Sequence, residues 1–249
     1  MATWVCSDMH GYYSFYEQIK RNIDPEDKVI CLGDCGDRGP QSWKTIKAVL
    51  NDPQFIYLKG NHEDMLAKAL YQYFEEDFMD RDYYYLCSMN GGRATFYDAS
   101  CESDPLGAAK VLNNLPLEYH YTNPEGKRFC LCHAGFTGGR TWANPKKKEH
   151  DLIWDRDHTF DPDGAFDTTD FDIVVHGHTP IPFDFVDEDE FDGSPYTYCD
   201  GHKINIDAGS YYSGKGILFN LDTYESICFE LTPFLISYFL LHIYYNIFL

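Results

Sequence analysis

The opening of the chain alternates short apolar runs with stretches in which apolar positions recur every three or four residues. Thr3 to Ser7, Lys28 to Leu32 and Phe55 to Leu58 read as short buried strands, because each run is brief, apolar and bounded by turn residues. Tyr12 to Arg21, Gln41 to Leu50 after Pro40, and the stretch opening at Asn61 read as helices. The last of these places Met65, Leu66, Ala69, Leu70 and Tyr73 on one face. The pattern predicts a β-α-β-α-β-α opening, and in folds of that kind ligands gather beyond the carboxyl ends of the strands. From Glu75 to about Asp104 the text turns acidic and aromatic, which predicts a helical excursion over that end. Strands return at Arg128 to Cys132, Asp172 to His176, Lys203 to Ile206, Gly216 to Leu221 and Ser226 to Leu231, and these are expected to form a second sheet packed on the first. Asp184 to Asp192, with six acidic residues, reads as a solvated loop.

Five polar motifs punctuate this pattern: Asp8-Met9-His10, Gly33-Asp34-Cys35-Gly36-Asp37-Arg38-Gly39, Gly60-Asn61-His62-Glu63, His133-Ala134-Gly135 and Gly177-His178-Thr179. Each follows an apolar strand-like run, and any one alone would be common by chance. Together, Asp8, His10, Asp34, Asn61, His133 and His178 offer carboxylate, imidazole and amide donors. That mixture suits first-row divalent metals better than Ca²⁺ or a closed structural Zn²⁺ site. Hydrolysing a phosphate ester at neutral pH needs a strong nucleophile, neutralised phosphoryl oxygens and a proton for the departing oxygen; two metals about 3.5–4 Å apart meet the first two needs. Asp34 is expected to bridge the ions, since its Gly-Asp turn lets the backbone approach. Asp8 and His10, alternating along an extended segment with Met9 between them, would complete the first ion. Asn61, His133 and His178 would complete the second.

Arg38 and Arg156 are candidates to clamp phosphate oxygens, because a planar guanidinium matches two oxygens and stays charged. His62, beside Asn61, is the candidate general acid, with Asp37 accepting its other ring N–H. Competing readings stay open at four positions. Arg156 is alternatively a structural ion pair. His176 is a second-choice metal ligand, because alternation would place it on the face of His178. Glu63 is either an acceptor supporting the site or an acid favoured by the helix dipole. Cys132, within Phe129-Cys130-Leu131-Cys132, reads as a buried strand thiol rather than a metal ligand.

Charge and cysteine usage narrow the class. The 249 residues carry a formal charge of -20, and a field of that sign repels polyphosphate backbones and anionic lipid, so nucleic-acid binding is not expected. Nine cysteines at irregular spacing, several in apolar runs, read as reduced thiols. The start lacks a basic and an apolar signal region, and a cytoplasmic location is expected. One catalytic domain is expected over residues 1–232, followed by an uncharged apolar tail at 233–249. That tail is short for a bilayer of about 30 Å and has no basic flank, so packing on the domain or in an oligomer interface is favoured over membrane contact.

The five motifs resemble those of the calcineurin-like metallophosphoesterase superfamily, specifically its phosphoprotein phosphatase branch and the bacterial and phage serine/threonine phosphatases. Asp8-Met9-His10-Gly11, Gly33 to Gly39, Gly60 to Glu63, His133 to Gly135 and Gly177 to Pro180 carry the likeness, over roughly residues 3 to 221. The resemblance implies an α/β fold, a β-sandwich of two mixed sheets flanked by helices, with two divalent ions, Mn²⁺ first and an Fe/Zn pair second. It implies Asp8, His10 and Asp34 on one ion, Asp34, Asn61, His133 and His178 on the other, phosphate contact by Arg38 and Arg156, and a general-acid pair of His62 and Asp37. Cys35-Gly36 departs from the family, which usually has bulkier apolar residues there; a looser turn and an oxidisable thiol near the metals are expected. The implied activity is a dinuclear-metal phosphomonoesterase acting on phosphoserine or phosphothreonine in proteins, with phosphotyrosine or small monoesters as further substrates. The alternative is a symmetrical bis(5'-nucleosyl)-tetraphosphatase, which shares the motifs; the acidic stretch Glu75 to Asp82 weighs against so charged a substrate. A catalytically silent metal-binding scaffold is the third reading, disfavoured by the complete motif set.

Overall fold

The computed structural model describes residues 1–75, 82–136, 145–160 and 168–231, so the tail at 233–249 and part of the acidic excursion lie outside the described residues. Strands β1 (Thr3–Cys6), β2 (Lys28–Cys31) and β3 (Phe55–Tyr57) run parallel in neighbouring positions, joined by helices α1 (Tyr13–Asn22) and α2 (Ser42–Asn51). Helix α3 (Asn61–Phe74) follows β3. A second sheet has the order β4 (Glu118–Thr122), β5 (Arg128–Cys132), β6 (Ile173–His176), β8 (Lys203–Asn205) and β7 (Tyr196–Tyr198), parallel at its centre and antiparallel at both edges.

The two sheets face each other, as an α/β sandwich of mixed sheets should. Val5, Ile30, Phe129, Leu131, Val175 and Phe219 meet in the core between them. Because side chains alternate along a strand, the neighbours of these residues point outward. Cys6, Val29 and Cys31 pack beneath α1 to α3, while Cys130, Cys132 and Val174 pack against Leu152 and Ile153 of α4 (Pro145–Trp154). This explains why the strands read as continuous apolar runs: both faces are covered.

One expectation is corrected. The last two strands, β9 (Lys215–Asn220) and β10 (Ser226–Glu230), do not extend the second sheet; they join the first, with β9 antiparallel to β1. Their apolar faces are equally suited to either sheet, and the pairing is decided by the free edge of β1. Edge strands β4 and β7 were not read from the sequence, because Tyr, His and Thr alternate there without an apolar run. The excursion is helical as expected, over Asp82–Cys87 and Arg93–Ser100 with a kinked turn between, and its Gly91 carbonyl accepts a bond from Arg38 N at 3.1 Å. All six acidic residues from Asp184 to Asp192 are exposed. All nine cysteines are free, and no helix among the described residues is long and apolar enough to cross a membrane.

Candidate metal centre

The motifs converge where β1, β2, β3, β5 and β6 end, lining an open cleft of about 440 Å³ whose walls include His10, Asp34, Arg38, Asn61, His62, Arg156 and His178. The backbone there is strained. Asp8, His10, Asp34, Asp37, Arg38 and His178 all have positive φ between 41° and 68°, a region that non-glycine residues enter at a cost of roughly 1–3 kcal/mol each and mostly at functional sites. This overturns the extended reading of Asp8-Met9-His10. The two side chains share a side because each residue turns left-handed, while Met9 is driven into the core. The same turn at His178 breaks the alternation that linked it to His176. The ring of His176 is fully buried and lies 2.7 Å from the Tyr198 hydroxyl, outside the donor cluster, so it is not a ligand candidate.

Asp34 is the hub. Its Oδ2 lies 3.4 Å from His133 Nε2, 3.8 Å from His62 Nε2 and 3.9 Å from His10 Nε2, and His10 Nε2 is 3.8 Å from Asp8 Oδ1. On the other side Asn61 Oδ1 lies 2.9 Å from His133 Nε2 and 3.1 Å from His178 Nδ1. Two groups of donors therefore share one carboxylate.

The ring orientations fit cations. His10 Nδ1 is 3.0 Å from the Gly36 carbonyl and His133 Nδ1 is 3.0 Å from the Leu32 carbonyl, so each ring donates its N–H there. In a neutral His133 this leaves the Nε2 lone pair facing Asp34 and the Asn61 oxygen, which are themselves acceptors; burial opposes a charge on this ring, but Asp34 and Asp8 raise it to about 9, while His10 Nε2 faces Asp8, Asp34 and the Arg38 guanidinium. A positive ion between them reconciles the arrangement. His178 Nε2 is buried without a hydrogen-bond partner among the described residues. Burial, reinforced by Arg38 and His62, holds His10 well below the usual imidazole range; burial with His133 and Arg156 does the same for His178. Both are thus in the neutral form that ligates metal. Burial opposes the Asp34 charge, but His133, His62 and His10 outweigh it and hold this carboxyl well below its ordinary range. Burial and the Asp34 charge raise Asp8.

Glu63 resolves its two readings in favour of both. As the third residue of α3 it suits the helix N-terminus, and its carboxylate braces the Asp34 turn: Oε2 accepts from Asp34 N at 2.8 Å and Gly60 N at 3.0 Å, and Oε1 from Cys35 N at 3.0 Å and Tyr57 Oη at 2.6 Å. The Cys35-Gly36 turn is therefore held, not loosened, and the Cys35 thiol is buried beside Cys31, 3.3 Å away. Close approach requires glycine at position 33, where φ is 113° and a Cβ would meet Gly60 N at 2.5 Å.

His62 Nδ1 lies 2.7 Å from Asp37 Oδ2, its backbone N donates to Asp34 Oδ1, and Arg38 reaches His10 Nε2 at 2.9 Å and His62 Nε2 at 3.1 Å. Burial opposes a charge on His62, but Asp34 and Asp37 prevail and its pKa is raised. Arg156 Nη2 donates to the His178 carbonyl at 3.0 Å, an anchor to the site. Sequence reasoning missed Trp154, Asp184 and Tyr212, which also line the cleft, and Asp207, buried behind Asp8. Asp207 follows β8 as Asp8 follows β1, a strand-end carboxylate that could have been noticed.

A family model described as calcineurin-like phosphoesterase matches residues 1–232. A serine/threonine-protein phosphatase 2 of Salmonella typhimurium is 28% identical, over 88% of this chain and 92% of that one. An asymmetrical bis(5'-nucleosyl)-tetraphosphatase PrpE of a Geobacillus species is 23% identical, over 90% and 91%. Among solved structures, a metallophosphoesterase from Sphaerobacter thermophilus superposes with a TM-score of 0.56 at 17% identity, covering 92% of this chain and 87% of its own. A Saccharomyces cerevisiae serine/threonine phosphatase gives 0.55 at 15%, covering 92% and 79%. With its motifs gathered at one strand end and its sequence matched almost throughout, this chain belongs to the calcineurin-like phosphoesterase family and is a metal-dependent phosphoric ester hydrolase.

Proposed function

We propose that the chain is a protein phosphatase acting on phosphoserine and phosphothreonine. Asp8, His10 and Asp34 would hold one divalent ion and Asp34, Asn61, His133 and His178 the other. The observation that carries this reading is the single carboxylate, Asp34, shared between two donor groups at the floor of an open cleft. Bound there, two ions activate water and neutralise phosphoryl oxygens. Arg38 and Arg156 bind the remaining phosphoryl oxygens through paired N–H donors. His62, its Nδ1 on Asp37 and its Nε2 at 3.1 Å from Arg38 Nη2, delivers a proton from Nε2 to the departing serine or threonine oxygen once Arg38 has turned to the phosphoryl oxygens.

Substrate class follows from the rim. Arg38 and Arg156 are the cations lining the cleft among the described residues, Asp184 stands beside them, and Arg93 is exposed outside it. A phosphoryl group on a neutral or basic peptide suits this field better than a polyphosphate. The dinucleoside tetraphosphate reading remains as the second, favoured by Trp154 and Tyr212, two rings on which a base can stack. Phosphate release with Mn²⁺ from a phosphoserine peptide, a phosphotyrosine peptide, p-nitrophenyl phosphate and diadenosine tetraphosphate separates them. Phosphopeptide turnover abolished by chelation is expected, and preference for the dinucleotide overturns the protein-phosphatase reading.

A further inference from the structure

The outer face of the second sheet carries a donor cluster that the hydrolytic reaction does not use. Glu118 and His120 stand two residues apart on edge strand β4. Across the strand pair, His120 faces Cys130 and Glu118 faces Cys132 on β5. One carboxylate oxygen, one ring nitrogen and one sulfur, from Glu118, His120 and Cys130, lie within 4.8 Å of one another. Cys130 Sγ is 3.9 Å from Glu118 Oε2, and His120 Nε2 is 3.6 Å from Glu118 Oε1. Lys148 holds Glu118 Oε1 at 2.7 Å, which leaves Oε2 aimed at the thiol.

Tetrahedral Zn²⁺ with its usual bond lengths separates S, N and O ligands by roughly 3.3–3.6 Å. Cys130 Sγ, 3.9 Å from Glu118 Oε2, needs a contraction of a few tenths of an ångström to reach that spacing, and His120 Nε2 stands at 3.6 Å from the other oxygen, so the Glu118 carboxylate must turn for one oxygen to serve the same ion as both. Access exists as well, since Cys130 is buried while the His120 side chain is 51% exposed at the sheet edge.

We infer that Glu118, His120 and Cys130 form a second, structural metal site for a borderline-soft divalent ion of the Zn²⁺ class, separate from the dinuclear centre. The mixed sulfur, imidazole and carboxylate set selects such an ion over Mg²⁺ or Mn²⁺. Binding replaces the S–H bond of Cys130 with a sulfur–metal bond and releases that proton to solvent, with no change of oxidation state. Three protein ligands leave a fourth position for water or Cys132. The ion ties edge strand β4 to β5, three residues upstream of His133.

Co²⁺ titration of the metal-stripped full-length chain tests this, because a thiolate-to-Co²⁺ charge-transfer band arises only from sulfur ligation and the dinuclear donors are oxygen and nitrogen. The expected result is a band reaching one thiolate-bound ion per chain, displaced by Zn²⁺ and lost in Cys130→Ser. In His120→Ala, whose half-exposed side chain packs on Phe171 with ring centres 4.6 Å apart, Co²⁺ affinity at this site falls by roughly tenfold or more. Absence of the band in the wild-type chain, its survival in Cys130→Ser, or unchanged affinity in His120→Ala overturns the inference. Should Cys130→Ser fail to fold, His120→Ala decides alone. Mn²⁺-dependent hydrolysis of p-nitrophenyl phosphate by the variant reports that it is folded.

Discussion

The first sheet delivers Asp8, His10 and Asp34 on loops that turn left-handed immediately after their strands, whereas the second delivers His133 and His178 with one such residue, His178. In the first group the His10 ring rests on the Gly36 carbonyl and Glu63 grips the Asp34 turn at both N–H groups. The second is held by the His133 ring on the Leu32 carbonyl, by the His178 N–H on Asp8 Oδ2 and by Arg156 on the His178 carbonyl. The Asp34 turn thus depends on a single buried carboxylate, while His133 and His178 rest on contacts spread over several residues, and mutations should separate the two.

The largest effect is expected at the acid that faces both groups. His62→Ala should lower kcat roughly 10²–10⁴-fold while leaving metal content intact. A leaving group of low pKa should restore part of the rate, which steady-state kinetics on aryl phosphates checks. Glu63→Gln should weaken metal binding by about 10–100-fold through loss of the grip on the Asp34 turn, measured by metal titration. Retained affinity in that variant would erase the contrast between the sheets. Under the proposed phosphate-binding role of Arg156, Arg156→Lys, on the second side, should raise KM by about tenfold with kcat nearly unchanged, since a lysine cannot present two parallel donors. The smallest effect lies far from the cleft at Asp172. Bonds from the Arg128 side chain and N–H lower its pKa from 3.8 to about 2. A depressed carboxyl contributes stability above its unfolded pKa and loses it as pH falls through the folded value. The melting-temperature gap between wild type and Asp172→Asn should therefore be present at neutral pH, small because solvent screens the pair, and gone near pH 2.

The sequence made the parallel β-α opening and the site motifs legible for one reason: both are local. Val5, Ile30 and Tyr57 sit in short apolar runs, and Asp8, Asp34 and Asn61 follow them directly. Long-range pairing was not legible. Nothing in Lys215 to Asn220 says that Phe219 will pair with Val5 and not with the second sheet. Backbone handedness was also hidden, since Asp8 and His10 alternate in text as they would in a strand, and only the turn around Met9 shows that they do not. Glu63 could be placed at a helix start from spacing, but its bonds to Asp34 and Cys35 span nearly thirty residues.

One carboxylate, Asp34, stands between the two donor groups, and metal stoichiometry tests its shared role most directly. The wild-type chain, stripped by chelation and reloaded with Mn²⁺, should bind two ions and regain phosphopeptide hydrolysis. Asp34→Asn should lose tight binding of both ions together with activity, because one side chain serves each. An Asp34→Asn chain that keeps two tightly bound Mn²⁺ ions, or a wild type that reaches full activity with one, would contradict a dinuclear centre built on Asp34.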